Sequence, residues 1–356
     1  DLTTSSVTAI YANNANNITV LNSGSITTSG SGGVGIISNN NSGTGTITNS
    51  GTITTSGSTS WGISTYNNTG TNSKTNSGTI RTTGNYGIGI QSSEDTNPTI
   101  TNSGTITTSG DYSYGIFLDQ SAGTSTITNS DKIITTGASG YGIWSTDNTG
   151  NSTITNSGTL TTSGGSHGIY SNQNSGTNII NNSGEITVSG SGGNKNGIWS
   201  TENTGTVTIT NSGTISTSGN WKVGIYSSTD SNVVTITNSG TISTIDRYGW
   251  GIASYNNSRT NTITNSGTIT TSGNDGIGIS SSEDANATIT NSGTITTNGS
   301  LSYGILSEYI SGIDTITNSG TITTSGTSGY GIYLNDKQGG TLYSGTSTSS
   351  NSGAIS

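Results

Sequence analysis

One twelve-residue stretch, Thr46-Ile47-Thr48-Asn49-Ser50-Gly51-Thr52-Ile53-Thr54-Thr55-Ser56-Gly57, recurs along the whole chain and limits what the chain can fold into. Its asparagine returns at Asn22, Asn49, Asn76, Asn102, Asn129, Asn156, Asn182, Asn211, Asn238, Asn265, Asn291, Asn318 and Asn351. Most of the intervals are 26 or 27 residues, and the longest is 33. A repeat of this length is one supersecondary unit that stacks on its neighbours, because a single copy cannot bury an apolar face alone.

The unit that starts at Thr46 reads as three short strands. Thr46-Ile47-Thr48 alternates β-branched polar and apolar residues, and Ser50-Gly51 ends it. Thr52-Ile53-Thr54 repeats the pattern up to Ser56-Gly57, and Trp61-Gly62-Ile63-Ser64 is the third strand. Residues 65–71 read as a polar loop. No stretch carries a helical period. The expected fold is all-β: a single-stranded parallel β-helix, or β-solenoid, of about 13 coils of about 27 residues, with three short strands per coil. Equivalent strands of successive coils pair in parallel, ~4.8 Å apart.

Stacking arranges equivalent residues in columns. Ile26, Ile53, Ile80 and Ile106 begin the second-strand column, which holds Ile or Leu in every coil. Ile36, Ile63, Ile90 and Ile116 begin the third. The first-strand column is interrupted by Lys74 and Ser349, and Lys74 is expected to mark a locally distorted strand. The corner asparagines are expected to hydrogen-bond up and down as a structural ladder. The glycine two residues after each is expected to need positive φ, since its one replacement is Asp131. The same expectation holds at the second corner, where Asp246 replaces glycine.

Composition agrees with a stack and narrows the function. Only 25% of residues are hydrophobic and 7% charged, the latter too few for an ordinary disordered chain. There is no Cys, so disulfides and thiolate metal sites are excluded. Met is also absent, which suits a processed product or an excised part. A net charge of -9 does not suit nucleic acid or an anionic membrane surface, and no apolar run approaches the ~20 residues of a spanning helix. No nucleic-acid partner and no direct membrane insertion are expected.

In chain order, residues 1–21 form a partial coil, 22–350 hold twelve repeats, and 351–356 form a second partial coil, all in one continuous solenoid. The asparagines at 22, 49, 76, 102 and 129 return 189 residues later, so a seven-coil block has been duplicated. Six residues from Asn351 and 21 before Asn22 sum to one coil, so an end could dock on the end of a second copy. Ala9, Ile10 and Tyr11, with Asn351 and Ile355, are the candidates for such head-to-tail self-assembly into fibres. Strand edges left open at solenoid ends favour it.

The run Asn318-Ser319-Gly320-Thr321-Ile322-Thr323-Thr324-Ser325-Gly326, followed by Tyr330-Gly331-Ile332-Tyr333, resembles the β-helical passenger regions of autotransporters and related haemagglutinin-like surface proteins. The resemblance covers nearly the whole chain. It implies a right-handed parallel β-helix, export, and a secreted or cell-surface location. The family's C-terminal membrane barrel has no counterpart here.

No catalytic residue and no cofactor or metal is expected. The one histidine, His167, fills a corner position occupied elsewhere by Tyr, Trp, Val or Ile. Asp119, Asp147, Glu202 and Asp230 follow third strands and read as solvated loop charge, without calcium-loop spacing. The residue after the third-strand isoleucine should point outward. In five consecutive coils it is Phe117, Trp144, Tyr170, Trp199 and Tyr226. Such an exposed aromatic ladder would serve for stacking on surface glycans, for lateral fibre contacts, or for cover by a loop. Thr-x-Thr columns such as Thr99/Thr101, Thr126/Thr128 and Thr153/Thr155 resemble ice-binding surfaces, although Arg81, Lys132 and Glu185 interrupt the second-strand column. The functional expectation is a structural or adhesive fibre-forming protein, with a carbohydrate-binding adhesin as the alternative and an ice-binding solenoid behind both.

Overall fold

A computed structural model describes the chain apart from residues 5–7, 191–194, 336, 339–340, 343–345, 352–353 and 356; beyond Asn335 only the backbone is described. The chain divides into two compact units, Asp1–Thr177 and Asn178–Ser356. Each is a parallel β-solenoid built from three sheets, and the described residues contain no helix.

In one coil of the first unit the strands are Gly45–Asn49 on face 1, Thr52–Thr55 on face 2 and Trp61–Tyr66 on face 3. Within this unit, face 1 stacks strands from Ile18–Asn22 to Asn151–Asn156. Face 2 runs from Leu2–Thr4 to Thr159–Thr162, and face 3 from Thr8–Asn13 to His167–Asn172. In the second unit, face 1 runs from Asn178–Asn182 to Thr346–Asn351, face 2 from Glu185–Val188 to Ala354–Ile355, and face 3 from Ile198–Thr201 to Tyr330–Asn335. Lys337–Gln338 and Thr341–Leu342 add a small antiparallel pair.

Pairing keeps like residues in register. Ile53 pairs with Ile80, Ile63 with Ile90, and Ile127 with Ile154. A one-residue slip would turn each of these side chains to the opposite face, so the buried isoleucines hold the register. They are almost completely inaccessible: Ile53, Ile63 and Ile80 are 0% exposed.

The corner asparagines add a polar column. In the first unit each side-chain amide from Asn22 to Asn129 donates to the next Oδ1, at 2.7–2.8 Å. The second unit repeats this from Asn182 to Asn318. The same amides also donate to the carbonyl two residues on, as Asn102 does to Gly104 at 2.8 Å.

Several expectations are corrected. Among the described residues, the first-corner glycines are not in the left-handed region. Gly51 is small because a Cβ there would lie against the Gly24 carbonyl oxygen of the preceding coil. Asp131 is accommodated with a lengthened contact: Lys132 N donates to Gly104 O over 3.3 Å, against 2.9 Å at Thr105 to Gly78. At the second corner, Gly164, Gly190, Gly219 and Asp246 do have positive φ, while Gly57 does not. Lys74 does not distort its strand. Asn72–Asn76 pairs in register on both sides, with Lys74 opposite Ile47 and Ile100. The third strand is longer than expected, reaching Tyr66, and the supposed polar loop after it turns a polar column into the interior. Asp230, expected in solvent, is 0% exposed, although Asp147 and Glu202 are exposed.

Candidate aromatic binding surface

Face 3 departs from simple alternation. In Tyr114-Gly115-Ile116-Phe117, Ile116 faces the core, and a Cβ on Gly115 would strike the core side chain of Ile133. Two successive residues therefore turn inward, and the residues on both sides, Tyr114 and Phe117, turn outward together. Their rings lie 5.6 Å apart. The Phe117 column was expected to face outward; the column of Tyr114, Tyr141 and His167, expected as a corner position, belongs to the third strand and joins it on the outside. The signal was the Tyr-Gly-Ile triplet itself, whose glycine allows the two inward positions.

In the first unit the two columns merge. Tyr114 stacks on Tyr141 at 5.4 Å and 13°, and Tyr141 on His167 at 5.3 Å. Phe117 contacts Trp144 at 4.7 Å, and Trp144 contacts Tyr170 at 6.0 Å. Trp144 Nε1 donates to Asn172 Oδ1 at 2.8 Å. These rings cover one another, so Phe117, Trp144 and Tyr170 are half-buried rather than the fully exposed ladder expected from alternation. Burial raises the Tyr114 hydroxyl to about 12, with the Tyr141 and Tyr86 hydroxyls adding to it. His167 is buried within this strip, stacked against Tyr141 and Tyr170.

In the second unit Trp199 and Tyr226 pair in register and stack at 6.0 Å and 18°. Trp199 Nε1 donates to Ser228 Oγ at 3.1 Å. Beside them Trp221 and Tyr248 stack at 3.9 Å on adjacent turns, both with left-handed backbone (φ 59° and 58°). Together with Asn196, Val223 and Trp250, these four rings line a cleft of about 590 Å³. A volume of this size falls within the range of small-ligand sites. Trp221, Tyr248 and Trp250 were absent from the sequence-level candidates, since two of them sit in turns rather than strands.

One charged cluster is interior. Lys74 Nζ lies 3.1 Å from Asp95 Oδ2, and both side chains are 0% exposed. Ser92 Oγ bonds both, at 2.8 and 2.6 Å, Thr65 Oγ1 donates to the same carboxylate oxygen, and Asn68 donates its N–H and its amide to Oδ1. Burial alone would raise Asp95; the Lys74 ammonium and these donors outweigh it and hold the carboxyl below its usual range. Asp284, which has no lysine at the equivalent offset, is pushed by burial up to about 6 despite donors from Ser281 and Asn257. Burial raises Asp230 as well. All three belong to a column whose side-chain oxygens cap N–H groups of the preceding coil, as Asp95 does for Asn68 and Asp230 for Asn203.

For the self-assembly candidates, Ala9, Ile10 and Tyr11 lie in the strand Thr8–Asn13, and Tyr11 is 59% exposed. Asn351 and Ile355 pair through their backbones with Asn318 and Ile322; their side chains, like that of Ser349, lie outside the described residues.

Residues 2–123 match the family model described as the BigA third pectate lyase-like domain. This is a bacterial surface β-helix family, and the match is consistent with a β-helix repeat protein. The words pectate lyase-like name a fold relation and bring no catalytic residue to this chain. A surface β-helix family suggests a structural or adhesive role at the cell surface or outside the cell. No curated protein and no solved structure gave a significant match.

Proposed function

We propose that the protein is a non-enzymatic extracellular scaffold with an adhesive surface, and that its aromatic face 3 takes up surface glycans. The observation that carries this reading is the concentration of outward rings on one face of each unit, in register from coil to coil. Aromatic rings offer broad apolar platforms at low entropic cost, and solvent-facing apolar strips of this kind mark interaction sites. The regular stack beneath holds the rings at fixed spacing, so repeated weak contacts with a repeating polysaccharide add through effective concentration. A glycan array with the wild type, Trp144→Ala and Trp199→Ala tests it. Binding by the wild type that falls in either variant supports the reading; binding unchanged in both variants, or none by the wild type, refutes it.

End-to-end self-association is the second reading. Leu2 favours it: it stands in the core column, in register with the buried Ile26, and is itself 42% exposed. Electron microscopy over a concentration series should show filaments that lengthen with concentration. Dispersed short rods at every concentration would sink it.

A further inference from the structure

The buried pair of Lys74 and Asp95 does not follow from the needs of the core. At the 189-residue offset that carries Asn22 to Asn211, Lys74 becomes Ile263, while Asn68, Ser92 and Asp95 return as Asn257, Ser281 and Asp284. Ile263 is buried and keeps its register between Ile236 and Ile289. An isoleucine therefore serves this place in the stack, and a buried ion pair is in general no more stable than well-packed apolar side chains. A lysine kept there points to chemistry rather than to packing.

The groups around the pair sit on its reacting atoms. Lys74 Nζ stands 3.1 Å from Asp95 Oδ2, so it lies within about 4.3 Å of the carboxyl carbon. That is a short side-chain movement from the ~3–3.5 Å of a near-attack pair. Burial pulls the Lys74 ammonium below its ordinary range, toward the free amine that can attack. Asp95 Oδ1 accepts from the Asn68 backbone N–H at 2.9 Å and from the Asn68 side-chain amide at 2.8 Å. Two such donors are placed to hold the negative oxygen of a tetrahedral intermediate. Ser92 Oγ accepts from Lys74 Nζ at 2.8 Å and donates to Asp95 Oδ2 at 2.6 Å, which makes it a proton bridge from nucleophile to leaving oxygen. Thr65 Oγ1 donates to that same oxygen. All five residues are buried, so bulk water does not compete for these contacts.

We propose that Lys74 and Asp95 condense to an intramolecular isopeptide bond that ties one coil of the first unit to the next. One proton first passes from Nζ to Oδ2, leaving an amine and a carboxylic acid. Nζ attacks Cγ, the C–N bond forms, and Oδ1 carries the negative charge between the two Asn68 N–H groups. A second proton leaves Nζ through Ser92 to Oδ2. The Cγ–Oδ2 bond then breaks, Oδ2 departs as water, and the electron pair on Oδ1 restores the carbonyl. Atoms and charge balance with no oxidant, metal or co-reactant. Fixed neighbours react with effective molarities of about 10⁵–10⁸ M, which offsets the preference of free amine and acid to stay apart in water. The condensation also removes two charges from the interior. Until the bond forms, the two groups act as the buried ion pair described above.

The second unit holds the same set without its nucleophile. Ser281 Oγ donates to Asp284 Oδ2 at 2.6 Å and Asn257 N to Asp284 Oδ1 at 2.9 Å, with Ile263 in the place of the lysine. One substitution should therefore carry the reaction to the second unit. A covalent tie between coils resists stepwise unfolding in a stack whose repeats are held by their neighbours. The bond stands apart from the glycan reading and does not depend on it.

The test is mass spectrometry of the whole chain, incubated folded at neutral pH and then denatured. The wild type should be lighter than its sequence mass by one water, and proteolysis should release a branched peptide joining Lys74 to Asp95. Lys74→Met should keep its full mass. Ser92→Ala retains both reacting groups, and its lighter species should appear about a hundredfold more slowly. Ile263→Lys should lose a second water and join position 263 to Asp284. A wild type that keeps its full mass through prolonged incubation would overturn the proposal. Loss of water that persists in Lys74→Met would place the dehydration elsewhere and overturn it too. Loss of one ammonia, with Lys74 joined to Asn68, would overturn Asp95 as the acceptor. An unchanged rate in Ser92→Ala would overturn the proton bridge.

Discussion

Replacing Lys74 by Ile should destabilise the first unit although it restores the prevailing core residue. The ammonium and the Asp95 carboxylate are both fully buried and 3.1 Å apart. Removing one member of such a pair strands the other charge, at a cost of about 3–5 kcal/mol. At ~1.4 kcal/mol per decade this is roughly two to four decades of local hydrogen-exchange protection. The assay is hydrogen exchange by mass spectrometry on peptides covering the strand Asn72–Asn76 and the corner after Ser93, corrected for intrinsic rate. The second copy shows the expected end state: Ile263 stands at the Lys74 offset from Asp284, whose carboxyl is raised to about 6. Asp95 in the variant should rise toward the same value, so the lost protection should return as pH falls below about 6 and the acid takes up its proton. The double variant Lys74→Ile with Asp95→Asn recreates Ile47 with Asn68 and should be at least as stable as the wild type. A silent single variant, or a double variant no better than the single, would refute the reasoning.

Four further outcomes follow from the same geometry. Asp284 is raised from 3.8 to about 6, so the folded state binds its proton before the unfolded state does. Denaturant titrations should therefore show the second unit gaining up to about 3 kcal/mol between pH ~7 and ~4, with Asp230 acting in the same direction. The depressed Asp95 acts oppositely, and the first unit should weaken as pH falls through its lowered pKa below 3.8. Asn129→Ala removes a donor to Asn156 and an acceptor of Asn102 inside the column, and urea unfolding should show a loss of about 2–3 kcal/mol. Gly115→Ala places a methyl 2.5 Å from the Gly142 carbonyl oxygen and against Ile133, and should cost about 1–3 kcal/mol in the same assay.

The parallel stack was legible because each coil repeats one pattern at one spacing. Ile53 needs only a sequence column to be placed in the core, since parallel pairing puts like on like. What the repeat could not convey was the direction of residues next to glycine or in turns. The inward Gly115-Ile116 pair hid the Tyr114 column, and left-handed backbone at Trp221 and Tyr248 brought turn residues to the cleft wall. Positive φ was expected at Gly51, where the real constraint is the backbone of the coil below. Asp95 and Lys74 are 21 residues apart in the chain, so neither strand pattern nor loop composition could show that they meet.

The central claim is that the aromatic face meets the glycan, and footprinting tests it most directly. Hydroxyl-radical labelling of the wild-type chain, with and without a glycan found on the array, reads the protected side chains. Protection is expected at Tyr114, Phe117, Trp144 and Tyr170, or at Trp199, Trp221, Tyr226, Tyr248 and Trp250. Protection confined to Tyr11, Leu21 or the outward residues of faces 1 and 2 would contradict the account.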